Sequence, residues 1–245
     1  MITGKLLKLQ RLKVIPNSTW YDVSNCSLTK LELNPNVEYL DCSHNALIQL
    51  PDLPKCVRLV CWNNRLTQLP ELPECVELDC YGNHLTQLPE LPECVKLNCS
   101  NNRLTQLPEL PECVRLVCWN NRLTQLPELP ECVRLICSNN RLTQLPELPE
   151  CVKLDCWNNQ LTQLPELPEC VRLDCYGNRL PVDELEIWKT IWQIRSKFRP
   201  VILKIKLRRI IRTRILEKNR KLNLAVLYSP ENFTKPYLGM RKATW

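Results

Sequence analysis

A stretch of nineteen residues, CVRLVCWNNRLTQLPELPE from Cys56, recurs with few changes at Cys75, Cys94, Cys113, Cys132, Cys151 and Cys170. An asparagine marks the same place in every turn of this period, at Asn45, Asn64, Asn83, Asn102, Asn121, Asn140, Asn159 and Asn178, and Cys26 lies one period before the first. The count gives nine units, the first two degenerate. One unit cannot fold alone, because four leucines such as Leu59, Leu66, Leu69 and Leu72 do not offset the entropy of ordering the rest. Stacked neighbours that cover both flanks make the sum favourable, so the repeats form one cooperative domain.

Leu59 and Cys61 stand two apart and share one face of a short strand, while Arg58, Val60 and Trp62 face the other way. One strand per unit makes a parallel sheet, and the Asn column turns inward to satisfy backbone groups freed at the bend. The return LPELPE is no helix, since Pro70 and Pro73 lack N–H groups and push the preceding residues to extended geometry. The spacing Cys56-x-x-Leu59-x-Cys61-x-x-Asn64-x-Leu66-x-x-Leu69 resembles the leucine-rich-repeat pattern, with Cys in two leucine positions and Cys26 in the alternative Cys form of the Asn position. The short Pro-rich returns resemble the LPX-type subclass found in effectors of enteric pathogens and repeat proteins encoded by large DNA viruses of amoebae. The resemblance implies a leucine-rich-repeat solenoid, with short parallel β-strands on its concave face and extended returns behind; the residues beyond it add a helical basic C-terminal extension. The expected boundaries are an N-terminal cap over 1–19, the solenoid over 20–180, a helical cap and basic arm over 181–224, and an extended tail over 225–245.

Sixteen Cys fall almost wholly in two columns, one through Cys56 and Cys75, the other through Cys42, Cys61 and Cys80. Each replaces a leucine, so these are read as small buried hydrophobes, with neither disulfide nor zinc expected. Residues 1–13 carry Lys5, Lys8, Arg11 and Lys13 and contain no signal-peptide apolar core, and no stretch is long and uncharged enough to span a membrane. The expected setting is intracellular and reducing, in cytoplasm or nucleus, with packaging in a virion as a further possibility.

Regular units turn outward positions into columns. One reads Tyr39, Arg58, Glu77, Lys96, Arg115, Arg134, Lys153, Arg172 and is mainly basic; another reads Ser43, Trp62, Tyr81, Ser100, Trp119, Ser138, Trp157, Tyr176. Exposed Trp is unusual, and aromatic and Arg groups on a preformed face are the composition of protein-binding hot spots. The candidate protein-binding face is therefore Arg58, Trp62, Tyr81, Lys96, Arg115, Trp119, Arg134, Lys153, Trp157, Arg172 and Tyr176. The opposite reading takes these columns as solvated surface copied by internal duplication, with the indoles packed on neighbouring Arg stems. The return side carries Glu71, Glu74 and their equivalents and is acidic.

From Pro181 the chain has 16 Lys and Arg against 5 Asp and Glu, a net of +11, which leaves −4 of the total +7 on residues 1–180. Asp183 can cap a helix whose Trp188 and Trp192 help to cover the last repeat. Beyond Pro200, a stripe through Leu203, Leu207 and Ile211 is flanked by Lys204, Lys206, Arg208, Arg209, Arg212 and Arg214, a basic amphipathic arm, although the alternation at 203–207 also fits a strand. Together with the two tryptophans it forms a candidate docking arm, with a protein groove, an anionic membrane or nucleic acid as possible partners.

Catalysis is not expected. The LPX-type effectors sometimes carry a ubiquitin ligase with a catalytic Cys, but here the last Cys is Cys175 and no His follows it; His44 and His84 are isolated positions on the repeat surface. Four glycines offer no phosphate loop, and the paired glutamates recur along the surface rather than converging. No cofactor, metal or small-molecule substrate is expected. The leading reading is a structural or interaction protein that docks through its concave face and arm, as a component of a larger assembly such as a virion, in a minor capsid or cement role. The alternatives are a pathogen effector binding a host signalling protein, and a nucleic-acid-associated protein acting through the tail.

Overall fold

The structure, a computed structural model, describes residues 19–181. Each unit contributes one three-residue strand: β1 (Trp20–Asp22), β2 (Tyr39–Asp41), β3 (Arg58–Val60), β4 (Glu77–Asp79), β5 (Lys96–Asn98), β6 (Arg115–Val117), β7 (Arg134–Ile136), β8 (Lys153–Asp155) and β9 (Arg172–Asp174). They pair in parallel, in chain order, as one sheet. Every step in register is one repeat, so Leu40 lies beside Leu59, Leu59 beside Leu78 and Leu154 beside Leu173. The expected caps and arm at 1–18 and 182–245 lie outside the described residues.

Bonding between units continues past the short strands. Cys61 N–H donates to Asp79 O at 2.8 Å and Asn63 N–H to Tyr81 O at 2.9 Å, both toward the next unit. Beyond the asparagine the sense reverses, and Arg65 N–H donates to Leu47 O of the previous unit at 2.9 Å. Pro70 and Pro73 have no N–H to give, so the return is extended chain. Its end is a turn in which Cys75 N–H donates to Leu72 O at 3.2 Å, with Pro73 in the second position, where its fixed φ suits the bend.

The asparagine column is the internal brace. Asn64 Oδ1 accepts Leu47 N–H at 3.0 Å, and its Nδ2 donates to Cys42 O and Cys61 O, each at 3.0 Å. One side chain therefore satisfies three backbone groups, two of which belong to the preceding unit. The same set recurs at Asn83, Asn102, Asn121, Asn140, Asn159 and Asn178.

Just before this asparagine stands a column in the left-handed backbone region: His44, Asn63, Asn101, Asn120, Asn139 and Asn158 have φ of 53 to 55°, and Gly82 and Gly177 have 66 and 68°. Gly and Asn are the residues that enter this region at least cost, which is why, from Asn63 onward, the residue before the brace is Asn or Gly. At Gly82 a Cβ would meet Asn63 Oδ1 at 2.7 Å. Where both residues are Asn the amides instead chain together, Asn120 Nδ2 donating to Asn101 Oδ1 at 2.6 Å.

Inside, leucines and cysteines of successive units make one continuous core, with Cys56, Leu59, Cys61, Leu66 and Leu72 buried and Leu69 packed at its margin. A second, separate stack joins Val57, Val76, Val95, Val114 and Val133. All sixteen Cys are free thiols, and only Cys26 and Cys175 are partly exposed. Cys56 Sγ donates to Arg58 O at 3.3 Å. Burial pushes the Cys56 and Cys113 thiols up to about 12. It raises those of Cys61, Cys75, Cys80, Cys118 and Cys137 well above the ordinary thiol range too, since an apolar interior disfavours the thiolate.

In denaturant without reductant, thiol titration should count close to sixteen reactive groups, and a count below about fourteen would mean that disulfides form. The native protein should react slowly, and first at Cys26 and Cys175. Because the folded thiols titrate above the unfolded ones, their contribution to stability is complete below about pH 8.5 and is lost as pH rises through about 12. Each buried thiol then withdraws up to about 1.4 kcal/mol per pH unit, so the denaturation midpoint under reductant should fall steeply between about pH 8 and 10, and less steeply once several interior Cys are changed to Ala. For the brace, Asn121→Ala strands Leu104 N–H, Cys99 O and Cys118 O. It should cost about 3 kcal/mol or more in chemical denaturation, against under about 0.5 kcal/mol for the exposed Thr124→Ala.

Candidate functional site

The first residues of β2 to β9 are the basic column expected from the sequence, and the pairing sets each beside the next: Arg58 by Glu77, Glu77 by Lys96, Arg134 by Lys153, Lys153 by Arg172. Neighbouring strands are about 4.8 Å apart, so a repeated side-chain type becomes a ladder of like groups. The structure brings all eleven candidate face residues onto this strand side, but it divides them into two regions.

Over β3 to β5 the face neutralises itself. Glu77 stands between two cations, with Arg58 Nε at 3.5 Å and Lys96 Nζ at 2.8 Å. Behind them burial raises the Asp79 carboxyl above its usual range. Over β7 to β9 the same column reads Arg134, Lys153, Arg172, and among the described residues none of the three has an ion pair within 4 Å. Burial lowers the Arg134 pKa, and the charges of Arg115 and Arg172 lower it further. Burial also lowers Lys153, with Arg134 and Arg172 adding to the effect. Arg134 Nε is buried without a hydrogen-bond partner, and so is Asp155 Oδ1 in the next column. Asp155 is raised by burial first and by Asp174 second.

The aromatic column differs from the exposed row expected. Ser43, Ser100 and Ser138 are buried, Trp62, Tyr81, Trp119 and Trp157 are half-buried, and Tyr176 is 62% exposed. The small serines let larger rings lean over them: Tyr81 and Trp119 lie 5.8 Å apart across Ser100. Trp157 stacks on Tyr176 at 5.2 Å with planes 6° apart. His44, expected to be isolated, packs edge-on against Trp62 at 3.9 Å. The candidate arm residues Trp188, Trp192, Lys204, Lys206, Arg208, Arg209, Arg212 and Arg214 lie outside the described residues.

The return side is polar and acidic. Glu71, Glu90, Glu109 and Glu128 are exposed, and with the Gln68, Gln87 and Gln106 column they line a groove of about 940 Å³. Among the described residues no three His, Cys, Asp or Glu side chains are grouped to hold a metal ion. No helix of the described residues is long and apolar enough to cross a membrane.

Parallel strands at nineteen-residue intervals, an inward asparagine in each turn and a leucine interior define the class: the chain is a leucine-rich-repeat protein with short, proline-rich units. It is similar to YopM from Yersinia enterocolitica WA-314, at 37% identity and a TM-score of 0.67, over 72% of this chain and 42% of that one. It is also similar to YopM, a leucine-rich effector protein from Yersinia pestis, at 29% identity and a TM-score of 0.55, over 65% of this chain and 61% of that one. A Shigella effector leucine-rich-repeat domain matches at 25% identity and a TM-score of 0.52, over 76% of this chain and 81% of that domain. The chain thus spans less than two thirds of either YopM chain. No family model matches it, and no curated protein matches it.

A cation ladder contributes nothing to the core, so its removal should not unfold the chain. Arg134→Gln with Lys153→Gln should leave the denaturation midpoint unchanged or raised, whereas Leu154→Ala, on the inner face of β8, should cost about 2–5 kcal/mol. A loss of stability in the double variant comparable to that of Leu154→Ala would make the ladder structural.

Proposed function

We propose that the chain is a non-catalytic protein-binding platform whose strand face is the docking surface. The observation that carries this reading is the partly desolvated cation row over β7 to β9, which has no ion pair within 4 Å among the described residues, beside the aromatic pair Trp157 and Tyr176. Aromatic rings lose little rotamer entropy on binding, and together with arginines they supply the central contacts of protein interfaces. The acidic return side, by contrast, repeats the same exposed Glu at Glu71, Glu90, Glu109, Glu128, Glu147 and Glu166.

Among specific roles, the effector reading is favoured by one observation: the similar structures are described as effector proteins. In this reading the strand face engages a host protein. A virion component would use the strand face together with the basic tail, and a nucleic-acid-associated protein the tail; the tail lies outside the described residues.

The test is site-specific photocross-linking in the native setting, with the probe at Trp119 or Trp157 on the strand face, or at Gln106 or Gln125 on the return side. Protein adducts should concentrate at the two strand-face positions. Equal yields from both sides, or adducts chiefly with nucleic acid, would overturn the proposal.

A further inference from the structure

The division of the strand face allows the partner to be specified further, on the reading that this face is the docking surface. We propose that β7 to β9 recognise an acidic, amphipathic α-helix of a partner protein, laid across the strands so that three carboxylates on one helical face meet Arg134, Lys153 and Arg172.

Charge distribution selects the region. On β2 to β5 the outward strand residues carry Arg58 and Lys96 against Asp41, Glu77 and Asp79, two cations to three carboxylates, and Glu77 already holds both cations. On β6 to β9 they carry Arg115, Arg134, Lys153 and Arg172 against Asp155 and Asp174, four cations to two carboxylates. Like charges on adjacent strands repel, and an anionic partner offsets that repulsion.

Spacing selects the secondary structure. Strands about 4.8 Å apart put the outer two cations of the trio about 9.6 Å apart. Carboxylates at i, i+4 and i+7 of a helix rise about 10.5 Å over the same three contacts, at about 1.5 Å per residue. An extended strand repeats on one face only every ~6.8 Å and overshoots to about 13.6 Å, so it meets two of the three cations. The neighbouring aromatic column, with Trp157 stacked on Tyr176, offers an apolar strip for residues beside the carboxylates on the helix.

The probe is a fluorescein-labelled helical peptide of about twenty residues with Glu at i, i+4 and i+7 and Leu alongside, compared with an isomer whose Glu residues alternate. Binding is measured by anisotropy to the full chain. The basic tail is present in every variant, so the readout is the ratio between variants. Arg134→Gln with Lys153→Gln should weaken the helical peptide at least about tenfold, and Arg58→Gln with Lys96→Gln less than about twofold, with the alternating isomer binding weakly to all. Equal weakening by the two pairs would overturn the assignment to β7 to β9, and equal binding of the isomers would overturn the helix. Tighter, ladder-dependent binding of an oligouridine would replace the protein partner with nucleic acid. If neither peptide binds while strand-face cross-links persist, this inference fails and the docking reading stands; if the cross-links fail too, both fall.

Discussion

The asparagine amide is the interaction on which the rest of this molecule depends. A nineteen-residue turn whose return carries two prolines has few backbone donors left to close on itself. The bend after each strand would bury a carbonyl in its own unit, another in the unit before, and an amide N–H between them. One planar side chain with two donors and an acceptor meets all three, as Asn102 does with Cys80 O, Cys99 O and Leu85 N–H. Because two of these groups belong to the neighbour, satisfaction inside a unit and cohesion between units are the same event. The leucine and cysteine interior is continuous for that reason, and the strands need only three residues.

Much of this is legible in the sequence because it rests on period and residue type. The repeat determines the number of strands, the inward Leu59 and Cys61, and the place of the brace. Other features are not legible because they depend on geometry between neighbouring columns. The left-handed position is printed as Asn63, Gly82 and Asn101, but only the backbone angles separate it from the bracing asparagine that follows. The valine stack from Val57 to Val133 has no period distinct from the core's own. As a string of residues the basic column is nearly uniform. Its division arises from one substitution, Glu77, whose two neighbours reach it from opposite sides. The tryptophans read as exposed, and serines in the same column allow them to lie down.

The likeness to effector leucine-rich-repeat structures concerns architecture: it covers 72% and 65% of this chain and less than two thirds of either YopM chain. The chemistry of the strand face is local to this chain. A row of cations that outnumbers its carboxylates and, among the described residues, has no ion pair within 4 Å is costly to hold together and is tolerated where the core beneath it is secure. Buried Leu135 and Leu154 supply that security on the inner side of the same strands.

The backbone bonds that join units in this solenoid all run to the adjacent unit, so excising or inserting a whole turn rejoins each donor to an equivalent acceptor and leaves no mismatched seam. Length is then a nearly free variable for such a chain, changed in steps of one turn by recombination between almost identical coding segments. What such a step does alter is the order of outward side chains, and a reshuffled row of charges is a new binding specificity on an unchanged frame.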